Sequence, residues 1–146
     1  MQKFSSSSPQ ETRDVGKKLI ELFGKKQIYC LYGPLAAGKT TLVKGMARAL
    51  NVNRTVVSPS YILLREYVGD SPLFHLDLFR LTDSSEIIEA GLDEYLVDPH
   101  GVVAVEWADR AEEILPSKRI DIKIKIGKKN QREFQVKNPT QGTGLV

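Results

Sequence analysis

The apolar positions of this 146-residue chain recur with two different periods, and the boundaries between them mark its elements. Val15, Leu19, Leu22 and Phe23 follow a three-to-four spacing behind Ser8-Pro9-Gln10-Glu11, which reads as a helix start with serine at the N-cap and proline at the first helical position. Gly24 closes that helix. Gln27-Ile28-Tyr29-Cys30-Leu31-Tyr32 is a short β-prone run and predicts a buried strand. Leu42, Val43, Met46, Ala47 and Leu50 return to helical spacing, and residues 51–55 are a polar connector.

Residues 61–68 and 73–76 read as two strands joined at Gly69-Asp70-Ser71-Pro72, a hairpin whose second strand stops on Asp77. Residues 82–96 predict one or two short helices broken near Gly91, and Asp98-Pro99-His100-Gly101 predicts a turn. Val102-Val103-Ala104-Val105 is an unbroken apolar strand that ends at Glu106-Trp107; residues 108–115 predict a helix stopped by Pro116. Ile120, Ile122, Ile124 and Ile126 then alternate with Asp121, Lys123 and Lys125, the mark of a strand with one wet face, and residues 127–130 turn it into a last strand over 132–137. Residues 1–7 and 140–146 are expected to be loose tails.

One stretch carries chemistry. Gly33-Pro34-Leu35-Ala36-Ala37-Gly38-Lys39-Thr40 matches G-x-x-x-x-G-K-[ST] at every fixed position, with a strand before it and a helix after. The pattern places backbone N–H groups of Leu35, Ala36, Ala37, Gly38, Lys39, Thr40 and Thr41 around a phosphate chain, at a helix N-terminus whose dipole favours anions. Gly33 and Gly38 allow the close approach, Lys39 is placed for the β- and γ-phosphates, and the Thr40 hydroxyl for Mg²⁺. With strands and helices alternating around it, the fold expected is α/β: one P-loop NTPase-like domain over residues 1–146, a three-layer sandwich with a central, largely parallel sheet and an antiparallel C-terminal hairpin.

Such a site needs carboxylates from the ends of strands next to the loop strand. Asp77 and Glu106 both stand there, each capping an apolar run. Arg80 could reach a phosphate or hold an acid of the section 81–115; Trp107 could stack on a ligand or pack in the core. His75, among apolar neighbours, reads as a packed, hydrogen-bonded histidine. Asp98-Pro99-His100-Gly101 matches D-x-x-G of GTPases but precedes its strand, and no [NT]-K-x-D follows, so guanine specificity has no support.

Composition changes this picture little. One cysteine excludes an internal disulfide, and with two histidines far apart there is no zinc signature. Nothing resembles a secretory signal or a membrane span, so a cytoplasmic setting is expected. Charge is uneven: residues 1–115 hold 13 Lys/Arg against 16 Asp/Glu, whereas residues 116–146 hold 8 against 2. The basic C-terminal section, Lys128 and Lys129 included, is therefore a candidate contact for tRNA or an acidic partner, beside the plainer reading of a solvated face.

Gly33 to Leu42, Ser58-Pro59-Ser60-Tyr61, His75-Leu76-Asp77-Leu78-Phe79-Arg80-Leu81 and Glu106-Trp107-Ala108-Asp109-Arg110, in that order, resemble the TsaE (YjeE) family of bacterial ATPases. The likeness runs from Thr12 to about Val136. It implies an ATP–Mg²⁺ site formed by Lys39, Thr40, Asp77 and Glu106. It implies a switch-like segment at Ser58, Ser60 and Tyr61, and base-side contacts from Glu11 and Thr12. It further implies slow ATP hydrolysis, activated by TsaB-like and TsaD-like partners, in forming threonylcarbamoyladenosine at position 37 of tRNAs that read ANN codons. The family loop usually reads G-D-L-G-A-G-K-T; here Pro34 and Ala36 replace Asp and Gly. A small-molecule or nucleoside kinase is the main rival, but few residues remain for a lid and acceptor pocket; a non-catalytic nucleotide sensor is the third reading.

Overall fold

The computed structural model describes residues 1–57 and 63–138. In chain order its elements are β1 (Gln2–Ser6), α1 (Pro9–Phe23), β2 (Gln27–Tyr32), α2 (Lys39–Ala49), β3 (Leu64–Tyr67), β4 (Leu73–Asp77), α3 (Ser85–Glu89), α4 (Glu94–Val97), β5 (Val102–Glu106), β6 (Ile120–Ile126) and β7 (Arg132–Lys137). The strands form one seven-stranded sheet in the order β1-β7-β6-β2-β5-β4-β3. β6, β2, β5 and β4 run parallel, and β7 and β1 on one side and β3 on the other are antiparallel to their neighbours.

The apolar runs of β2 and β5 follow from burial on both faces. Tyr29, Leu31, Val102 and Ala104 pack with Leu19 of α1 and Leu42 and Met46 of α2. Their alternates Ile28, Cys30, Val103 and Val105 pack on the other face with Ile87, Leu96 and Ala108. This is the three-layer arrangement expected, with β3–β4 and β6–β7 as the expected hairpins. β6 keeps its alternation, Ile120, Ile122 and Ile124 buried and Lys123 and Lys125 exposed, until Ile126, which is exposed.

The helix pair on the first face is held by two small residues. A Cβ on Gly16 would lie 2.2 Å from the Leu42 carbonyl oxygen, and one on Gly45 would lie 1.9 Å from that of Arg13. The backbones of α1 and α2 touch where they cross, and only glycine permits it.

Two expectations change. Residues 1–7 are not a loose tail, because Gln2–Ser6 pairs with Arg132 to Val136 of β7. The open N–H and C=O groups on the outer edge of β7 reward that pairing. Phe4 also packs on the core, and the Ser6 hydroxyl shares a buried hydrogen bond of 2.7 Å with that of Thr12. With one apolar residue, the segment shows no period that would reveal the strand. The second change is at residues 108–115, where the chain forms 3₁₀ turns over Ala108–Ile114 with a kink at Ala111. Residues three apart eclipse in 3₁₀ geometry, so Ala108 and Ala111 both face the core. The tail expected at 140–146 lies outside the described residues.

Candidate functional site

The glycine-rich loop leaves the carboxyl end of β2 and enters α2 at Lys39. Gly38 is left-handed (φ 104°), as is Ala36 (φ 65°), so the loop folds back on itself twice within three residues. No side chain caps the start of α2. Its first N–H groups are therefore available to an anion. Lys39 is buried; its Nζ donates to the carbonyl oxygens of Gly33 at 2.6 Å and Pro34 at 2.9 Å, and lies 3.8 Å over the Trp107 ring. Burial lowers its pKa, and the nearby carboxylates of Glu106, Asp77 and Asp109 act in the opposite direction. A buried ammonium that borrows two loop carbonyls gains by exchanging them for a negatively charged ligand.

The two acids come from neighbouring parallel strands. Asp77 ends β4, Glu106 ends β5, and they are register partners. Both are buried, at 5% and 3% exposure, in a chain that otherwise keeps most of its carboxylates in water. Glu106 Oε2 accepts from the Thr40 hydroxyl at 2.8 Å and from His75 Nε2 at 2.6 Å. A carboxylate only accepts, so Nε2 donates; among the described residues the buried Nδ1 has no hydrogen-bond partner. His75 thus holds Glu106 from behind while Thr40 holds it from the loop side. Asp77 Oδ1 accepts the backbone N–H of Phe79 at 3.0 Å.

These groups face a cavity of about 440 Å³ lined by Leu35 to Thr41 of the loop, Asp77, Phe79, Arg80, Glu106 and Trp107. Trp107 is left-handed (φ 59°), an unfavourable conformation for a bulky residue, and its ring lies 4.9 Å from that of Phe79. The pair makes an aromatic wall beside Lys39. A second cavity of about 330 Å³ lies behind the loop, lined by residues including Ser7, Thr12, Gly38, Thr41, Asn130 and Arg132.

Nine of the expected residues therefore meet in one place: Leu35, Ala36, Ala37, Gly38, Lys39, Thr40, Thr41, Asp77 and Glu106. Gly33 sits behind them as an acceptor for Lys39. Thr12 lines the second cavity, whereas the Glu11 carboxylate is turned into the helix cap, accepting the Ser7 N–H at 2.8 Å. Ser58, Ser60 and Tyr61 lie outside the described residues. Arg80 stands at the cavity wall, but Arg110 donates to the Leu81 carbonyl at 3.2 Å and acts as a brace. Arg132 was not foreseen: its Nε donates to the Ala37 carbonyl at 3.0 Å and its Nη2 to that of Ala36 at 3.3 Å, tying β7 to the loop. At a separation of 95 residues, sequence spacing carries no signal of that contact. His75 was legible as a hydrogen-bonded histidine, though not its partner.

As chemistry, the cavity offers a lysine, helix N–H groups, one hydroxyl and two carboxylates. Among the described residues no cluster of three His, Cys, Asp or Glu could hold a metal alone. Two carboxylates and a hydroxyl suit a hard cation that takes its other ligands from water and a phosphate chain, which is how Mg²⁺ is usually held.

The family model described as "Threonylcarbamoyl adenosine biosynthesis protein TsaE" matches residues 6–134. The chain is 40% identical to the tRNA threonylcarbamoyladenosine biosynthesis protein TsaE of Bacillus subtilis over 133 residues, covering 90% of this chain and 82% of that protein. It is 34% identical to the protein of that name from Nostoc sp. over 141 residues, covering 93% and 85%. In three dimensions it is similar to the crystal structure of Bacillus subtilis YdiB, with a TM-score of 0.78 and 37% identity, covering 94% of this chain and 84% of that one. The family model spans most of the chain and the neighbouring structure shares its P-loop NTPase-like fold, so the chain belongs to the TsaE family.

Proposed function

We propose that this chain is a Mg²⁺-dependent ATPase that works in forming threonylcarbamoyladenosine on tRNA, in the cytoplasm and with TsaB-like and TsaD-like partners. The observation that carries the reading is the convergence of Lys39, Thr40, Asp77 and Glu106 on one cavity at the carboxyl ends of β2, β4 and β5. Lys39 would leave the Gly33 and Pro34 carbonyls for the β- and γ-phosphates, and the open N-terminus of α2 would hold the same chain of charge. Thr40 and Asp77, with Glu106 beside them, would hold Mg²⁺. Bound there, the ion would neutralise charge on the transferred phosphoryl oxygens. Glu106, fixed by His75, would orient the attacking water. Thr12 and the second cavity suit the base, and the names of the TsaE relatives support the tRNA role. Among the described residues no helix is long and apolar enough to cross a membrane.

The expected turnover is slow in isolation. Arg110 is committed to the Leu81 carbonyl and Arg80 stands at the cavity rim, so charge stabilisation of the transition state would depend on a partner that places an arginine or excludes water. The test is phosphate release without any acceptor, which a kinase would not give. Glu106→Gln should lower turnover by roughly 10²-fold with ATP affinity changed only a few-fold, whereas Lys39→Ala should remove most of the affinity. Unchanged phosphate release in Glu106→Gln would refute the role given to that carboxylate.

A further inference from the structure

Four cations of the first half of the chain come together where sequence distance hides them. Arg13 lies on α1, Lys44 and Arg48 lie one turn apart on α2, and Arg54 lies on the connector beyond it; all four line a groove of about 270 Å³. The chain around them is acidic overall, so composition points elsewhere. Among the described residues none of the four is in an ion pair. Asp14, which follows Arg13 in the chain, accepts from Gln10 at 3.0 Å instead of pairing with it.

The groove is built rather than incidental. Gly45 brings α2 against the backbone of Arg13, which fixes the spacing between Arg13 and the two α2 cations. Arg13 Nη2 is held by the Gln10 carboxamide oxygen at 2.8 Å, yet among the described residues its buried Nε has no partner. A buried guanidinium N–H without an acceptor is costly, and an anion in the groove would supply one. Arg54 is seated over the buried ring of Tyr67, 5.6 Å from its centroid.

Three guanidinium groups and one ammonium lining one groove select phosphate over isolated carboxylates through bidentate donation. The apolar part of the lining is small and aliphatic, Ala47 and Val52 among it, with no aromatic surface on which a base could stack or a protein anchor could seat. We propose that this groove binds the phosphodiester backbone of RNA, without reading its bases. The identity of the polyanion rests on the proposed role in tRNA modification; the groove itself does not. Because α2 starts at the phosphate loop, RNA held here would sit about two to three helical turns from the nucleotide.

The experiment uses the full chain and a fluorescent, unmodified tRNA transcript, with binding followed by anisotropy from 50 to 300 mM KCl in the absence of nucleotide. Arg48 and Arg54 are exposed, so R48A/R54A is expected to fold. It should weaken binding at about 100 mM salt by roughly tenfold or more and flatten the slope of log K against log salt by about 1.5 to 2. Phosphate release by the variant alone should match that of the parent, and K128A/K129A should leave the slope unchanged. Equal affinity and slope in R48A/R54A would overturn the proposal, as would no salt-dependent binding by the parent chain. Loss of binding to polyglutamate with tRNA binding intact would overturn it in favour of an acidic protein. Since nucleotide is absent, such a failure leaves the hydrolysis assay as the separate test of the ATPase reading.

Discussion

Replacing Ala36 by glycine should stabilise the nucleotide-free protein. Ala36 holds φ at 65° in the middle of the loop. A left-handed backbone costs a residue with a Cβ about 1–2 kcal/mol, which glycine does not pay. Glycine also gives the unfolded chain more freedom, a loss of about 0.4–1 kcal/mol. Ala36 is exposed, so removing its methyl group forfeits little burial, and its carbonyl keeps the bond to Arg132. The net gain is therefore about 0.5–1 kcal/mol. At an unfolding entropy near 0.3 kcal/mol/K for a chain of this size, that raises Tm by about 2–3 °C. Gly38→Ala is the counter-experiment. It imposes the same strain at φ 104°, where the nearest side-chain atom to a new Cβ, Thr12 Cγ2, is at an ordinary 3.8 Å, so conformation alone is tested. Alanine also restricts the unfolded chain, so the net loss is again about 0.5–1 kcal/mol and Tm should fall by about 2–3 °C. Calorimetry of both variants without nucleotide decides the matter: a lower Tm for Ala36→Gly, or an unchanged one for Gly38→Ala, would refute the argument.

Gly45→Ala should cost about 1–3 kcal/mol or more, since its methyl group would stand 1.9 Å from the Arg13 carbonyl oxygen and force α1 and α2 apart; an unchanged urea midpoint would show that the crossing can relax freely. His75→Leu should cost about 1–3 kcal/mol through the lost hydrogen bond to buried Glu106, read from the urea midpoint at constant m, and an unaltered midpoint would mean the 2.6 Å contact contributes nothing. Cys30 is fully buried and burial pushes its thiol pKa up, so a disulfide reagent at pH 8 should label it only as fast as the protein unfolds; rapid labelling of the native chain would contradict its position in β2.

The loop, its flanking strand and helix, and the two strand-end acids were legible in the sequence because each is a local pattern. Fixed glycines, a lysine and a hydroxyl at set spacing describe one turn of backbone, and an apolar run ending on a carboxylate describes one strand in a buried parallel sheet. The alternation of Ile120 to Ile126 likewise announced a strand with one wet face. What the tertiary structure decided are contacts between distant segments. Pairing of Gln2–Ser6 with β7 depends on the open edge of another strand and not on the segment's own apolar content. The bond from His75 to Glu106 and the clasp of Arg132 on the loop join residues 31 and 95 positions apart, and no periodicity encodes either. Charge shows the same division. Counting along the chain drew attention to residues 116–146, while the groove of Arg13, Lys44, Arg48 and Arg54 exists only because two glycines let α1 and α2 touch. Local spacing sets which element a residue joins; the approach of one backbone to another sets which residues then meet.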